Sequence, residues 1–132
     1  MWTEQKLNEL LTTPSEKLIE DIKKIKGDII ILGAGGKMGP TLCLLTKNAV
    51  KKSGINKKVI AVSRFSDPIA AKLLTDNGVE IVSVDLLQEN ILNTLPDADN
   101  VIYMAGKKFG TSGQESLTWA MNTWLPSRVA ER

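Results

Sequence analysis

A three-layer α/β sandwich, with helices on both faces of a parallel sheet of about four strands in the order 3-2-1-4, is the fold this sequence predicts. Three observations carry it. Short β-branched apolar runs alternate with stretches of helical period. The first of those runs is uninterrupted, as in a strand buried on both faces. A glycine-rich turn stands between that run and the helix after it. The 132 residues, 42% hydrophobic and 24% charged with a formal net charge of +2, suit one globular domain. Folding at this length buries roughly two thirds of the chain's surface, so a core forms without disulfides or metal.

Two helices are expected before the sheet, in a segment 1–27 packed on the domain 28–132. Leu7, Leu10 and Leu11 lie at helical spacing within 3–11, and Thr12-Thr13-Pro14 breaks that segment. Thr13-Pro14-Ser15-Glu16 reads as an N-cap, a proline at the first helical position and a capping-box glutamate. Leu18, Ile19, Ile22 and Ile25 then share one face, with Gly27 as the stop. Ile29-Ile30-Ile31-Leu32 is the first strand. A helix over 38–52 should turn Leu42, Leu45, Ala49 and Val50 inward, its last-turn lysines complementing the helix dipole. The second strand is 59–62, and Asp67-Pro68 opens a helix to about 76. A third strand (80–84), a short helix (88–95) and a fourth strand (100–104) follow. From about 113 a last helix places Leu117, Met121 and Trp124 or Leu125 on one stripe, with Pro126 as a kink or interruption.

Composition excludes several kinds of chemistry. The chain has no histidine, which removes His-based triads, imidazole general bases and nearly every usual zinc or non-haem iron site. Cys43 is the one cysteine; it excludes an intramolecular disulfide, fits a reducing compartment and reads as a buried small hydrophobe. Apolar runs fall far short of the roughly 20 residues of a membrane span, so no membrane partner is expected. The opening Met-Trp-Thr-Glu-Gln-Lys lacks a basic start with an apolar stretch, so a cytoplasmic protein is expected. Lysines cluster at Lys23/Lys24/Lys26, Lys51/Lys52, Lys57/Lys58 and Lys107/Lys108, but acids balance them and aromatics are 5%. A solvated surface accounts for them, with no nucleic-acid partner.

The informative stretch is Gly33-Ala34-Gly35-Gly36-Lys37-Met38-Gly39, between the first strand and the first crossover helix. In that position a glycine turn lets backbone approach a pyrophosphate while the free N–H groups of the next helix favour its charge. G-x-G-x-x-G would require glycine where Met38 stands, whereas Gly33, Gly36 and Gly39 satisfy G-x-x-G-x-x-G. A Walker loop would end in Gly-Lys-Ser/Thr, which is absent. The bland account is a turn needed only for tight strand-to-helix packing. Lys37 touches phosphate or solvent with equal ease.

These residues resemble the nucleotide-binding portion of the extended short-chain dehydrogenase/reductase family, the NAD(P)-dependent epimerases and dehydratases, over about 28–125. Asp85-Leu86 closes the third strand, where the resemblance implies an acidic residue at the adenine amino group. Tyr103-Met104-Ala105-Gly106 resembles the segment lining the cofactor trough, placing Ala105 and Gly106 by the nicotinamide ribose. Trp119-Ala120-Met121-Asn122 resembles a tryptophan-x-x-asparagine segment, so Asn122 is the candidate structural or proton-relay asparagine. The resemblance implies a Rossmann-type fold, NADP or NAD as cofactor, and a sugar-nucleotide substrate in a full-length form. Ser63-Arg64 ends the second strand, where a carboxylate selects NAD and a cation accommodates the extra phosphate of NADP. NADP is therefore favoured, unless Arg64 simply faces solvent; Asp67 is a second candidate for the ribose.

The Tyr-x-x-x-Lys pair of the resembled enzymes has no counterpart. Tyr103 and Lys107 have its spacing, but Tyr103 belongs to a strand and Gly106 breaks the segment, whereas the pair needs a helix. Thr111-Ser112-Gly113 reads as a loop and helix cap that would face the nicotinamide side. Two accounts stay open: the N-terminal portion of a longer epimerase-like protein, which the exposed edge of the fourth strand favours, or a free-standing dinucleotide-sensing module of the NmrA-like kind. A third is an S-adenosylmethionine-binding sheet, which would lack its usual acid after the second strand. Trp119, Met121 and Trp124 either pack into the core or meet a partner, such as missing chain or a second copy in a homodimer.

Overall fold

In a computed structural model of the chain, residues 1–107 and 112–132 are described; Lys108 and Thr111 lie outside them. The elements run α1 (Glu4–Thr12), α2 (Glu16–Lys24), β1 (Ile29–Leu32), α3 (Gly39–Ser53), β2 (Val59–Ser63), α4 (Pro68–Asp76), β3 (Glu80–Ser83), a 3-10 turn (Ile91–Thr94) and β4 (Asn100–Tyr103). The C-terminal helix follows in three pieces: α5 (Glu115–Trp119), a π turn (Ala120–Trp124) and α6 (Leu125–Glu131). The four strands form one parallel sheet in the order β3-β2-β1-β4. The domain is α/β with Rossmann-like topology. No helix among the described residues is long and apolar enough to cross a membrane.

Successive strand residues point to opposite faces of the sheet, so the unbroken apolar runs of β1 and β2 feed two cores. Ile29, Ile31, Val59 and Ala61 meet Ile22 of α2, Cys43 and Ala49 of α3 and Leu74 of α4. Ile30, Leu32, Ile60 and Val62 meet Leu86, Leu95 and Leu125, with Tyr103 and Met121 packed against them. The central strands are buried except for Ser63 at the end of β2, whereas β4 pairs on one side only and leaves Val101 50% and Ile102 36% exposed. That is an open, β-branched sheet edge.

Several expectations are corrected in detail. The cap of α2 is Ser15, whose hydroxyl accepts from Leu18 N–H at 3.2 Å. Thr13 instead donates back to Glu9 O of α1 at 2.6 Å, and Pro14 precedes the helix. The same helix ends at Lys24, before Gly27 is reached. The buried seam of α3 runs through Gly39, Cys43, Thr46, Ala49 and Val50, with Leu42 half-buried against it and Leu45 outside it. Small residues there let the helix approach the sheet, and Thr46 is buried because its hydroxyl donates to Leu42 O at 2.8 Å. The 88–95 helix contracts to the 3-10 turn. Leu125, not Trp124, is the core residue of the last helix; Trp119 and Trp124 are 67% and 51% exposed.

Candidate functional site

The sheet order reverses at β1: the chain proceeds from β1 outward to β2 and β3, then returns to place β4 on the other side. Loops at the carboxyl ends of β1 and β4 therefore part in opposite directions, which opens a crevice there in folds of this kind. A cleft of about 530 Å³ occupies that position and receives residues from the ends of all four strands. Its lining includes Gly33, Gly35 and Gly36 after β1, Ser63 to Asp67 after β2, Val84 to Leu87 after β3, and Met104 to Lys107 after β4. Leu117 and Met121 of the C-terminal segment complete it.

The glycines of the first loop are used differently. Gly33 has φ +85°, and a Cβ there would lie 2.6 Å from Ala105 Cα and overlap Ala105 N, so β1 and β4 approach through it. Gly39 is buried at the start of α3, where a Cβ would lie 2.5 Å from the Ala34 carbonyl carbon. At Gly35 a Cβ would come within 2.5 Å of Ser63 Oγ. Gly36 is unlike these, since a Cβ there would meet only Gly33 O, at an ordinary 3.6 Å. Contact with backbone explains Gly33 and Gly39, Gly35 meets only the Ser63 and Phe65 side chains, and Gly36 is left open on the cleft. The helix beyond begins at Gly39, preceded by Met38, which gives it no side-chain cap, and has Pro40 in its first turn. Its N-terminal charge has no side-chain acceptor of its own.

Of the residues expected from the sequence, Gly33, Gly36, Ser63, Arg64, Asp85, Leu86, Ala105 and Gly106 all line this cleft. Lys37, Met38 and Gly39 stand outside the lining: Lys37 and Met38 are exposed and Gly39 is buried beneath the loop. Arg64 is exposed and pairs with no carboxylate among the described residues. Asp67 caps α4, accepting from Ile69 N–H at 2.9 Å, and Asp85 accepts from Leu87 N–H at 3.0 Å in an Asx turn. Asn122 accepts from Lys107 N–H at 2.8 Å and donates to Lys107 O at 2.9 Å, fastening the loop after β4 to the C-terminal segment. That is a structural role.

Gly35, within the expected glycine stretch, lines the cleft too, whereas Phe65, Leu117 and Met121 were not foreseen in the lining. Phe65 has φ +46°, a left-handed conformation that is costly for a bulky side chain and that concentrates at ligand sites. Helical spacing marks Leu117 and Met121 as inward, but nothing local says that they reach a cleft built by distant strand ends.

Tyr103 and Lys107 do not form an acid/base pair. The Tyr103 hydroxyl donates to Met121 O at 2.7 Å, while Lys107 Nζ donates to Gln114 Oε1. Burial raises the Tyr103 phenol above its ordinary value, the opposite of what a general base near neutrality needs. No cluster of three or more potential metal ligands occurs among the described residues. Cys43 is fully buried, and burial pushes its thiol up to about 12. The thiolate is the reactive form, so native protein at pH 8 should resist iodoacetamide and become labelled only on unfolding. Rapid native labelling would show that Cys43 is reached by solvent.

No family model, curated protein or solved structure matches the chain. The functional reading rests on the cleft.

Proposed function

We propose that the cleft binds a nicotinamide dinucleotide, NADP in preference to NAD, in the manner of extended short-chain dehydrogenases/reductases. Gly36 supports this most directly: it lines the cleft, has no packing need to be glycine, and leads to a helix start without a side-chain cap. Backbone left open in that way is what a pyrophosphate needs. Gly33 to Gly39 take the pyrophosphate, Ser63 and Arg64 the adenosine ribose and its phosphate, Asp85 and Leu86 the adenine, and Ala105 and Gly106 the nicotinamide ribose. The volume suits a site for a small molecule or cofactor.

A bound dinucleotide supplies hydride transfer, and the substrate class that the resemblance brings is a nucleotide-sugar-like alcohol, epimerised or dehydrated. The residues of this chain are arranged to bind and orient. Tyr103 is held by a carbonyl and Lys107 by an amide, so no proton relay of the Tyr-Lys kind faces the cleft. The same observation favours a second reading, a dinucleotide-sensing module that binds without turnover.

Calorimetric titration with NADPH and then NADH tests the proposal. Both should bind, NADPH more tightly, and Arg64→Ala should weaken NADPH by about tenfold or more while leaving NADH unchanged, as befits loss of a charged hydrogen bond. No heat with either cofactor would sink it. Displacement of NADPH by a low concentration of S-adenosylmethionine would move the reading to that ligand.

A further inference from the structure

The π turn in the C-terminal helix has a chemical cause. Leu125 N–H donates to Ala120 O, five residues back, and so does not serve Met121 O, its α-helical partner. Pro126, next in line, has no N–H to give. The Met121 carbonyl is thus left without a donor from either residue, and the Tyr103 hydroxyl supplies one at 2.7 Å. Tyr103 ends β4, while Met121 belongs to the cleft wall together with Leu117. The next residue, Asn122, bonds both backbone groups of Lys107. Two successive residues of the π turn are therefore tied, Met121 to the end of β4 and Asn122 to the loop that follows it. Such turns recur at functional sites because one extra residue re-aims the side chains around it.

We infer that Tyr103 is a positioning residue: its hydroxyl holds the π turn, and the turn sets Leu117 and Met121 in the wall of the cleft. Without the hydroxyl, Met121 O regains a donor if Leu125 N–H passes from Ala120 O to Met121 O, one residue forward, into α-helical register. Leu125 is anchored in the core, so the change rotates the preceding segment by about 100° relative to α6. Leu117 and Met121 leave the cleft, and Asn122 is drawn off Lys107.

The binding arm of the test rests on the dinucleotide reading, and the spectroscopic arm does not. Trp119 and Trp124 bracket the turn, and in a Trp2→Phe background they are the remaining tryptophans. Tyr103→Phe, which keeps the ring and removes the hydroxyl, should shift their emission and near-UV circular dichroism. It should also weaken NADPH about three- to tenfold, the scale of one neutral hydrogen bond. Pro126→Ala leaves Tyr103 intact and supplies an N–H to Met121 O in the existing register, so alone it should melt no lower than the parent and leave both signals in place. In that background Tyr103→Phe should lose its effect on the tryptophans, and the double variant carries the test should Tyr103→Phe alone fail to fold; a double variant with shifted tryptophan signals would overturn the inference. Unchanged tryptophan signals in a folded Tyr103→Phe protein would overturn the inference. Shifted signals with unchanged NADPH affinity would overturn the link to the cleft. If the parent binds no NADPH the dinucleotide reading falls, and the tryptophans alone decide whether Tyr103 holds the turn.

Discussion

Gly33→Ala should cost the domain about 3 kcal/mol or more, the sum of left-handed strain and overlap with neighbouring backbone. Four glycines separate the two causes. Gly33 has both, with φ +85° and a Cβ that would overlap Ala105. Gly54 has strain alone: φ is +72° and nothing lies within 4 Å of a Cβ. Its alanine variant should lose about 1–2 kcal/mol. Gly39 has overlap alone, against the Ala34 peptide, and should lose about 1–3 kcal/mol. Gly36 has neither and should stay within about 0.5 kcal/mol of the parent. Urea unfolding at constant m-value measures all four. Equal losses at Gly33 and Gly54 would show that the β1 and β4 loops have slack, and the close approach at the switch point would then not shape the cleft. The loss at Gly33 is a large share of what a domain of this size has to lose.

The legible parts of this molecule are those whose cause is local or topological. Ile29 to Leu32 could hardly be anything but a buried strand, because a fully apolar β-branched run ended by glycines has no helical face. Once strands alternate with helices, right-handed crossovers lead to the sheet order and place Gly33, Ser63, Asp85 and Ala105 at strand ends on one side of the sheet. Their gathering in one cleft follows from topology.

What the sequence hid was decided by distance or by size. Thr46 joins Cys43, Ala49 and Val50 in the seam of α3 where Leu45 was expected, because close approach to the sheet rewards small volume over hydrophobicity. Thr13 and Ser15 are both good caps, and the choice between them turned on whether Thr13 could satisfy Glu9 O behind it. Pro126 announced an interruption of the last helix. Its form, a π turn whose stranded carbonyl is met by Tyr103, depends on a partner 18 residues away in sequence. The left-handed backbone of Phe65 has no mark in the sequence at all.

Gly36→Val should abolish measurable dinucleotide binding, or weaken it by about two orders of magnitude, without lowering stability appreciably. The reasoning separates a glycine kept for folding from one kept for a ligand. At Gly33, Gly35 and Gly39 an added Cβ would come within 2.6 Å of another atom of the chain, so a loss of binding after substitution there would be confounded with damage to the loop. At Gly36 the space beside Cα is free of protein, yet the residue lines the cleft. A branched side chain in that space would hold a pyrophosphate away from the loop's N–H groups and from the uncapped start of α3, and nothing else in the fold would need to move. The variant is read by NADPH titration beside urea unfolding, with Gly36→Ala as the smaller step. Wild-type affinity in a stable Gly36→Val protein would mean that no phosphate lies against this loop, and its glycines would then be accounted for by tight strand-to-helix packing alone.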